Sequence, residues 1–329
     1  MRSRVARQRR PRLQHLPRRP EVTPEQKAYE AALKERLAER ARTLLTTDQQ
    51  VVKALHDART QVLTQLAAQP PDWRRWQLGQ IQRQLETILT AAGGLAGTAA
   101  DGALRQIWQQ GEDVVDKPLA AAGINVEMRL PLLDASVLQA MRTFTVDRMN
   151  NVATEAVGKI RQQLGLVTIG SVTPFDAIRA IQKQLGNDTP QRATTIVRTE
   201  VSRAFAVAGE QRLVQAAAIV PGLQKQWRRS GKIHSRWTHD LMDGQVVDAD
   251  KRFKVPSAGG GFDMMKCPHD PKAPVDQVIN CGCVALPFLK GWQVMTPGAK
   301  PFTELELNQD GRKAALDQAA KQAGRRLEG

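Results

Sequence analysis

The side chains best able to do chemistry in this 329-residue chain cluster late, between Arg198 and Cys283. All three cysteines lie there, Cys267, Cys281 and Cys283, with His234, His239 and His269 close by in sequence. Zinc favours four soft or borderline ligands, and a small domain with little core often needs such a staple. The candidate ligand set is therefore His239, Cys267, Cys281 and Cys283, with zinc as the candidate ion. The spacing is not that of a standard finger, because C-x-C is tighter than C-x-x-C. In the plainer alternative, Cys281 and Cys283 are small residues on a strand, one inward and one outward, and His239 caps a turn.

The same stretch offers a second chemistry. His234, His239, Asp240 and Asp243 in a basic setting could hold a metal and a base for phosphodiester cleavage, with Arg236 on the phosphate. Against this, Asp243-Gly244 is an ordinary turn former. Arg198 and Glu200 lie two apart on a helix, so they cannot face each other. They are expected to reach separate partners in the small domain and lock it to its helical support. Gly259-Gly260-Gly261 lacks the Lys-Ser/Thr ending of a phosphate loop and reads as a turn.

The elements that must position these residues are mostly helices. Hydrophobic residues make up 41% of the chain but aromatics only 4%, so the core must be largely aliphatic. Helix formers dominate the first two-thirds. Three Thr-Pro pairs, at Thr23, Thr173 and Thr189, read as helix starts. Apolar spacing predicts a helix from Glu25 to about Gln69 and another, capped by Asp72, from Trp73 to Ala92, ended by Gly93-Gly94. Further helices are expected over Ala96–Gly111, Ala135–Leu164, Pro174–Leu185 and Pro190–Ala217. Trp73, Trp76 and Trp108 suit core packing better than a partner surface. After Pro221-Gly222 the pattern changes, and Leu223–Arg228 alternates like a half-buried strand.

Charge is uneven. The chain carries a net +15, and eight of those charges are arginines in residues 1–20, which hold no acid. Arg2, Arg4, Arg7, Arg9, Arg10, Arg12, Arg18 and Arg19 make a basic arm suited to DNA phosphates or to an acidic partner. Three cysteines in a chain this long argue against a disulfide framework and for a reducing compartment. No run of about 18 apolar residues exists for a membrane span. The basic N-terminus lacks the apolar stretch of a signal peptide.

Several motifs occur in a fixed order. They are Arg198-Thr199-Glu200 on a helix, Trp227 on a strand, a basic turn with Arg236, and His239 before Asp243-Gly244. Phe253 and the closing Asn280-Cys281-Gly282-Cys283 follow. Together, over about residues 168–288, they resemble the phage Mu protein F-like family, the minor head or head morphogenesis proteins of tailed phages. That family usually carries Arg between the last two cysteines, where this chain has Gly282; Cys267 is an addition to its pattern. The helical pattern and the change of texture after Pro221-Gly222 predict a mainly α protein with a small α+β C-terminal domain. Its parts would be an arm (1–20), a helical bundle-like domain (21–165), a loop-rich Mu F-like domain (166–295) and a polar tail (296–329). The resemblance implies a structural role rather than an enzymatic one, in head assembly near the portal or capsid interior. Portal, capsid or scaffold proteins would be partners, DNA could be touched by the arm, and the chain would end in the virion after assembly in the host cytoplasm. The rival expectation is a metal-dependent nuclease or toxin-like enzyme using His234, His239 and Asp243.

Overall fold

A computed structural model describes residues 22–70, 77–292 and 303–322. The basic arm, the Asp72 cap, Trp73 and Trp76 lie outside the described residues. The chain is mainly α, with a small α+β portion near its C-terminus. Five longer helices come first: α1 (Pro24–Ala67), α2 (Leu78–Ala121), α3 (Ala135–Thr168), α4 (Pro174–Lys183) and α5 (Thr189–Ala217). Among the described residues, no helix is long and apolar enough to cross a membrane.

Two of the three Thr-Pro starts behave as the sequence suggests. Thr23 Oγ1 accepts from Gln26 N at 3.2 Å, and Thr173 Oγ1 accepts from Asp176 N at 3.1 Å. Each such cap is worth about 1 kcal/mol. The third differs. A π-helical turn at Gln184–Asp188 carries α4 straight into α5, and Thr189 Oγ1 donates back to Gln184 O at 3.0 Å.

The expected stop at Gly93-Gly94 is also absent, because α2 runs unbroken through it. The reason is a close helix crossing. A Cβ on Gly93 would lie 2.7 Å from Ala153 Cβ of α3, and one on Gly111 would lie 2.7 Å from both Ala208 Cβ and Phe205 O of α5. These glycines let backbones approach, and the packing outweighs their intrinsic cost of about 1 kcal/mol each. Arg212 of α5 adds a buried ion pair to Asp116 of α2, with Nη2 at 2.6 Å, and donates to Pro131 O.

The helices share one apolar core. Val51, Leu66, Leu104, Ile107, Met149 and Phe205 sit in it, and so do Leu223, Leu286 and Leu289 of the sheet. The core therefore runs past residue 165 into the C-terminal part. There β1 (Leu223–Arg228) is the central strand of an antiparallel sheet between β2 (Val246–Asp248) and β5 (Val284–Leu289). Trp227 pairs with Ala285, and Gln226 with both Val246 and Leu286. β3 (Phe253–Pro256) and β4 (Phe262–Met265) form a separate hairpin. The alternation read in β1 as half-buried proves to be buried on both faces, since Lys225, Gln226 and Trp227 are all covered. Lys225 is tolerated there because its Nζ donates to the Glu210 carboxylate at 2.9 and 3.1 Å.

Two short helices, α6 (Trp237–Asp240) and α7 (Val275–Val278), sit in the loops of this region. In the stretch expected to be a polar tail, residues 303–322 form α8 (Glu304–Gln309) and α9 (Gly311–Gln322). Glu306 is buried against Arg229 Nη1 at 2.6 Å and Lys313 Nζ at 2.8 Å. Burial alone would raise its carboxyl, but hydrogen bonds from Arg229, Lys313 and the Thr303 backbone hold it at about 2.

The crossing at Gly111 makes a clean test. Gly111→Val is expected to cost at least about 1–3 kcal/mol through overpacking. Gly102→Ala, in the same helix with nothing within 4 Å of the new Cβ, is expected to gain about 0.5–1 kcal/mol. Thermal or denaturant unfolding of both variants measures the contrast, and equal effects would contradict the packing role.

Candidate metal centre

The cassette residues reach one another through turns that their own sequence requires. After β1, the chain returns to the sheet through Gly244, whose φ of 80° needs glycine and whose N–H donates to Trp227 O at 2.9 Å. Asp243 Oδ1 accepts from Arg229 N at 2.9 Å. This fixes α6, which carries His239. On the far side, Asn280 takes a left-handed φ of 53°, and its N–H donates to Thr199 Oγ1 on α5 at 3.3 Å. That bond ties the cysteine loop to the helical body.

His239 is 1% exposed, and its orientation follows from its neighbours. The Gln277 amide group of α7 donates to Asp263 Oδ2 at 2.7 Å and Pro256 O at 3.2 Å. With both amide hydrogens committed, Gln277 Oε1 must accept, and it lies 2.7 Å from His239 Nε2. The imidazole proton therefore sits on Nε2. The bare Nδ1 faces Cys281 Sγ at 3.4 Å and Cys283 Sγ at 3.7 Å. All three ligand atoms lie within 4.8 Å of one another, in a group able to hold a metal ion. A nitrogen and a sulfur on one zinc would be about 3.5 Å apart, given bond lengths of about 2.0 and 2.3 Å in a tetrahedron. The donor set and its spacing fit that ion, and Gln277 is the outer partner that holds such a histidine in register.

The two thiols are coupled. Cys283 donates to Cys281, which pushes the Cys281 thiol well below its usual range and the Cys283 thiol well above it. Trp227 stands edge-on to His239 and to Phe253, both at 5.3 Å. His269, fully buried with a φ of 63°, donates from Nε2 to Cys281 O at 3.0 Å. Arg40 of α1 is buried behind the thiols. Burial draws its guanidinium down to about 10, and the cysteine charges oppose that. Its Nη2 donates to Ser202 Oγ at 3.1 Å.

The other sequence candidates fall elsewhere. Cys267 is not in the ligand group. It is buried against Glu210 and Asp270, and burial first, then those charges, pushes its thiol up. His234 has a largely exposed imidazole 3.7 Å from Asp310. Asp243 is buried under Arg229 and does not line the cavity that His234 and His239 share. His234, His239 and Asp243 thus do not converge. Arg198 and Glu200 do reach separate partners, but in the helical body rather than the small domain: Asp48 of α1 for Arg198, and Arg148 of α3 and Arg203 of α5 for Glu200. Arg236 donates to Ile279 O.

Lys232 is a residue that sequence reading passed over. A Cβ on Gly282 would lie 2.7 Å from Ser230 Cβ and 3.1 Å from Lys232 Cε. Lys232 Nζ donates to Asn280 O at 2.7 Å. The space beside the C-x-C pair is thus taken by a cation from the turn after β1. Glycine at 282 facing a lysine in that basic turn was the available signal.

No family model matches the chain. No solved structure matches it either. It is similar to NAD(+)–arginine ADP-ribosyltransferase EFV of Enterococcus faecalis, at 26% identity over 106 residues. That stretch is 31% of this chain and 20% of the relative, so the chain spans only about a fifth of the protein that it matches. The expectation that the chain has no enzymatic role is corrected by this likeness, because the matched protein is an enzyme.

Gly282→Arg is expected to destabilise the small domain by about 1–3 kcal/mol, because the new side chain overpacks Ser230 and Lys232. Adding Ser230→Gly and Lys232→Ala should recover most of that loss. Urea unfolding of the single and triple variants tests this, and a triple variant no better than the single would contradict it.

Proposed function

We propose that this chain is a minor head protein of a tailed bacteriophage, acting in head morphogenesis near the portal or the capsid interior. The observation that carries this reading is the cassette. Residues far apart in sequence, from Thr199 to Cys283, meet around one buried imidazole and two thiols on a long-helix support. In this reading the helical body spans between partners, the small domain is a docking module, and zinc on His239, Cys281 and Cys283 staples it. Portal, capsid or scaffold proteins are the partners, and the chain passes from host cytoplasm to virion. Tagged protein produced during head assembly is expected to sediment with procapsids at few copies per particle. Recovery only in the free fraction would contradict the assignment.

The basic arm adds a DNA contact, motivated by eight arginines in twenty residues. Deleting residues 1–20 should flatten the slope of log affinity against log salt. An unchanged slope would remove that contact.

A second reading rests on the sequence likeness: the chain takes part in NAD+-dependent ADP-ribosylation of arginine. Transfer of label from NAD+ to an arginine-containing protein acceptor would support it. The same protein giving no transfer, beside an active control enzyme, would sink it.

A further inference from the structure

Three ligand atoms leave part of a metal ion's coordination unfilled, and the surroundings define the missing direction. His239, Cys281 and Cys283 all line one cavity of about 310 Å3. His269, the nearby nitrogen donor, does not line it, and its Nε2 is spent on Cys281 O. The cavity wall also carries Lys232 and Arg236. Both donate to backbone carbonyls, Asn280 O at 2.7 Å and Ile279 O at 2.5 Å. Among the described residues, no carboxylate forms an ion pair with either. Arg40 supplies a further buried positive charge close to the thiols.

We propose that the centre is open, with its fourth coordination position facing this cavity and taking a small anion through an oxygen donor, steadied by Lys232 and Arg236. The inference rests on the metal reading above and adds a ligand class to it. A divalent ion with two thiolates and a neutral imidazole carries no net charge, so the centre itself does not repel an anion. The two cations without acidic partners then make the cavity potential positive. Closed structural sites take four protein ligands, whereas sites that bind an outside ligand keep three. The volume admits a carboxylate or a phosphate group with a few waters, not an extended polymer.

Cobalt(II) loaded onto the full chain reads both layers separately. Thiolate coordination gives a sulfur-to-metal charge-transfer band, and the visible d–d bands report the fourth ligand. Titration with inorganic phosphate and, separately, acetate is expected to shift the d–d bands to saturation. Whichever anion saturates at lower concentration identifies a phosphoryl or a carboxylate preference. Replacing Lys232 and Arg236 together by Met should weaken that titration by about tenfold or more, given two lost charge-assisted hydrogen bonds, while the charge-transfer band stays. Bands that ignore both anions overturn the open position. A missing charge-transfer band would instead overturn the metal reading itself.

Discussion

A buried imidazole facing two buried sulfurs is the arrangement on which the C-terminal region depends. Few apolar side chains surround it: Trp227, Met242, Phe253, Val255, Met265 and Val278 make most of that separate core. A core of this size supplies little stability alone, and natural domains of such size recruit a metal or disulfides. The cysteines are free rather than bridged. The Cys281 thiol, drawn toward the thiolate, is favoured by a positive charge beside it. His239 offers only a lone pair, because Gln277 holds its proton on the other nitrogen. A divalent ion satisfies all three groups together, and Arg40 lies behind them with part of the charge already in place.

The same economy of buried charge joins this region to the helices. Thr199 accepts from Asn280 N, Lys225 is neutralised by Glu210, and Arg229 by Glu306. The two ion pairs are buried charges that would be costly alone, and removing one partner of such a pair typically costs about 3–5 kcal/mol. α5 is the element that the first two share with the body: it carries Thr199 and Glu210, and it lies close enough to α2 that Gly111 cannot bear a side chain. The site is thus held to a long-helix frame at several points rather than hung from a linker.

Much of this frame was legible in the sequence. The mainly α class followed from composition and apolar spacing, and the Thr23 and Thr173 starts followed from cap chemistry. The failures share a cause. Gly93-Gly94 was read as a local stop, yet its purpose is a contact with α3, sixty residues away, which local patterning cannot report. Cys267 looked like a ligand because it precedes Cys281 by only fourteen residues, but the loop between them turns it toward Glu210 instead. Gln277, Arg40 and Lys232 escaped notice because each is an ordinary polar residue until the fold sets it beside His239 or the thiols. His239, Cys281 and Cys283 were legible because their chemistry is rare.

The likeness to a transferase over part of the chain and the resemblance of the cassette to head morphogenesis proteins are both compatible with an ion at a centre able to hold one. Zinc content tests for that ion most directly. Elemental analysis of purified full-length protein should find close to one zinc per wild-type chain and essentially none in Cys281→Ser. Wild-type protein purified without chelator that carries no metal, or a Cys281→Ser variant that keeps it, would contradict the metal centre.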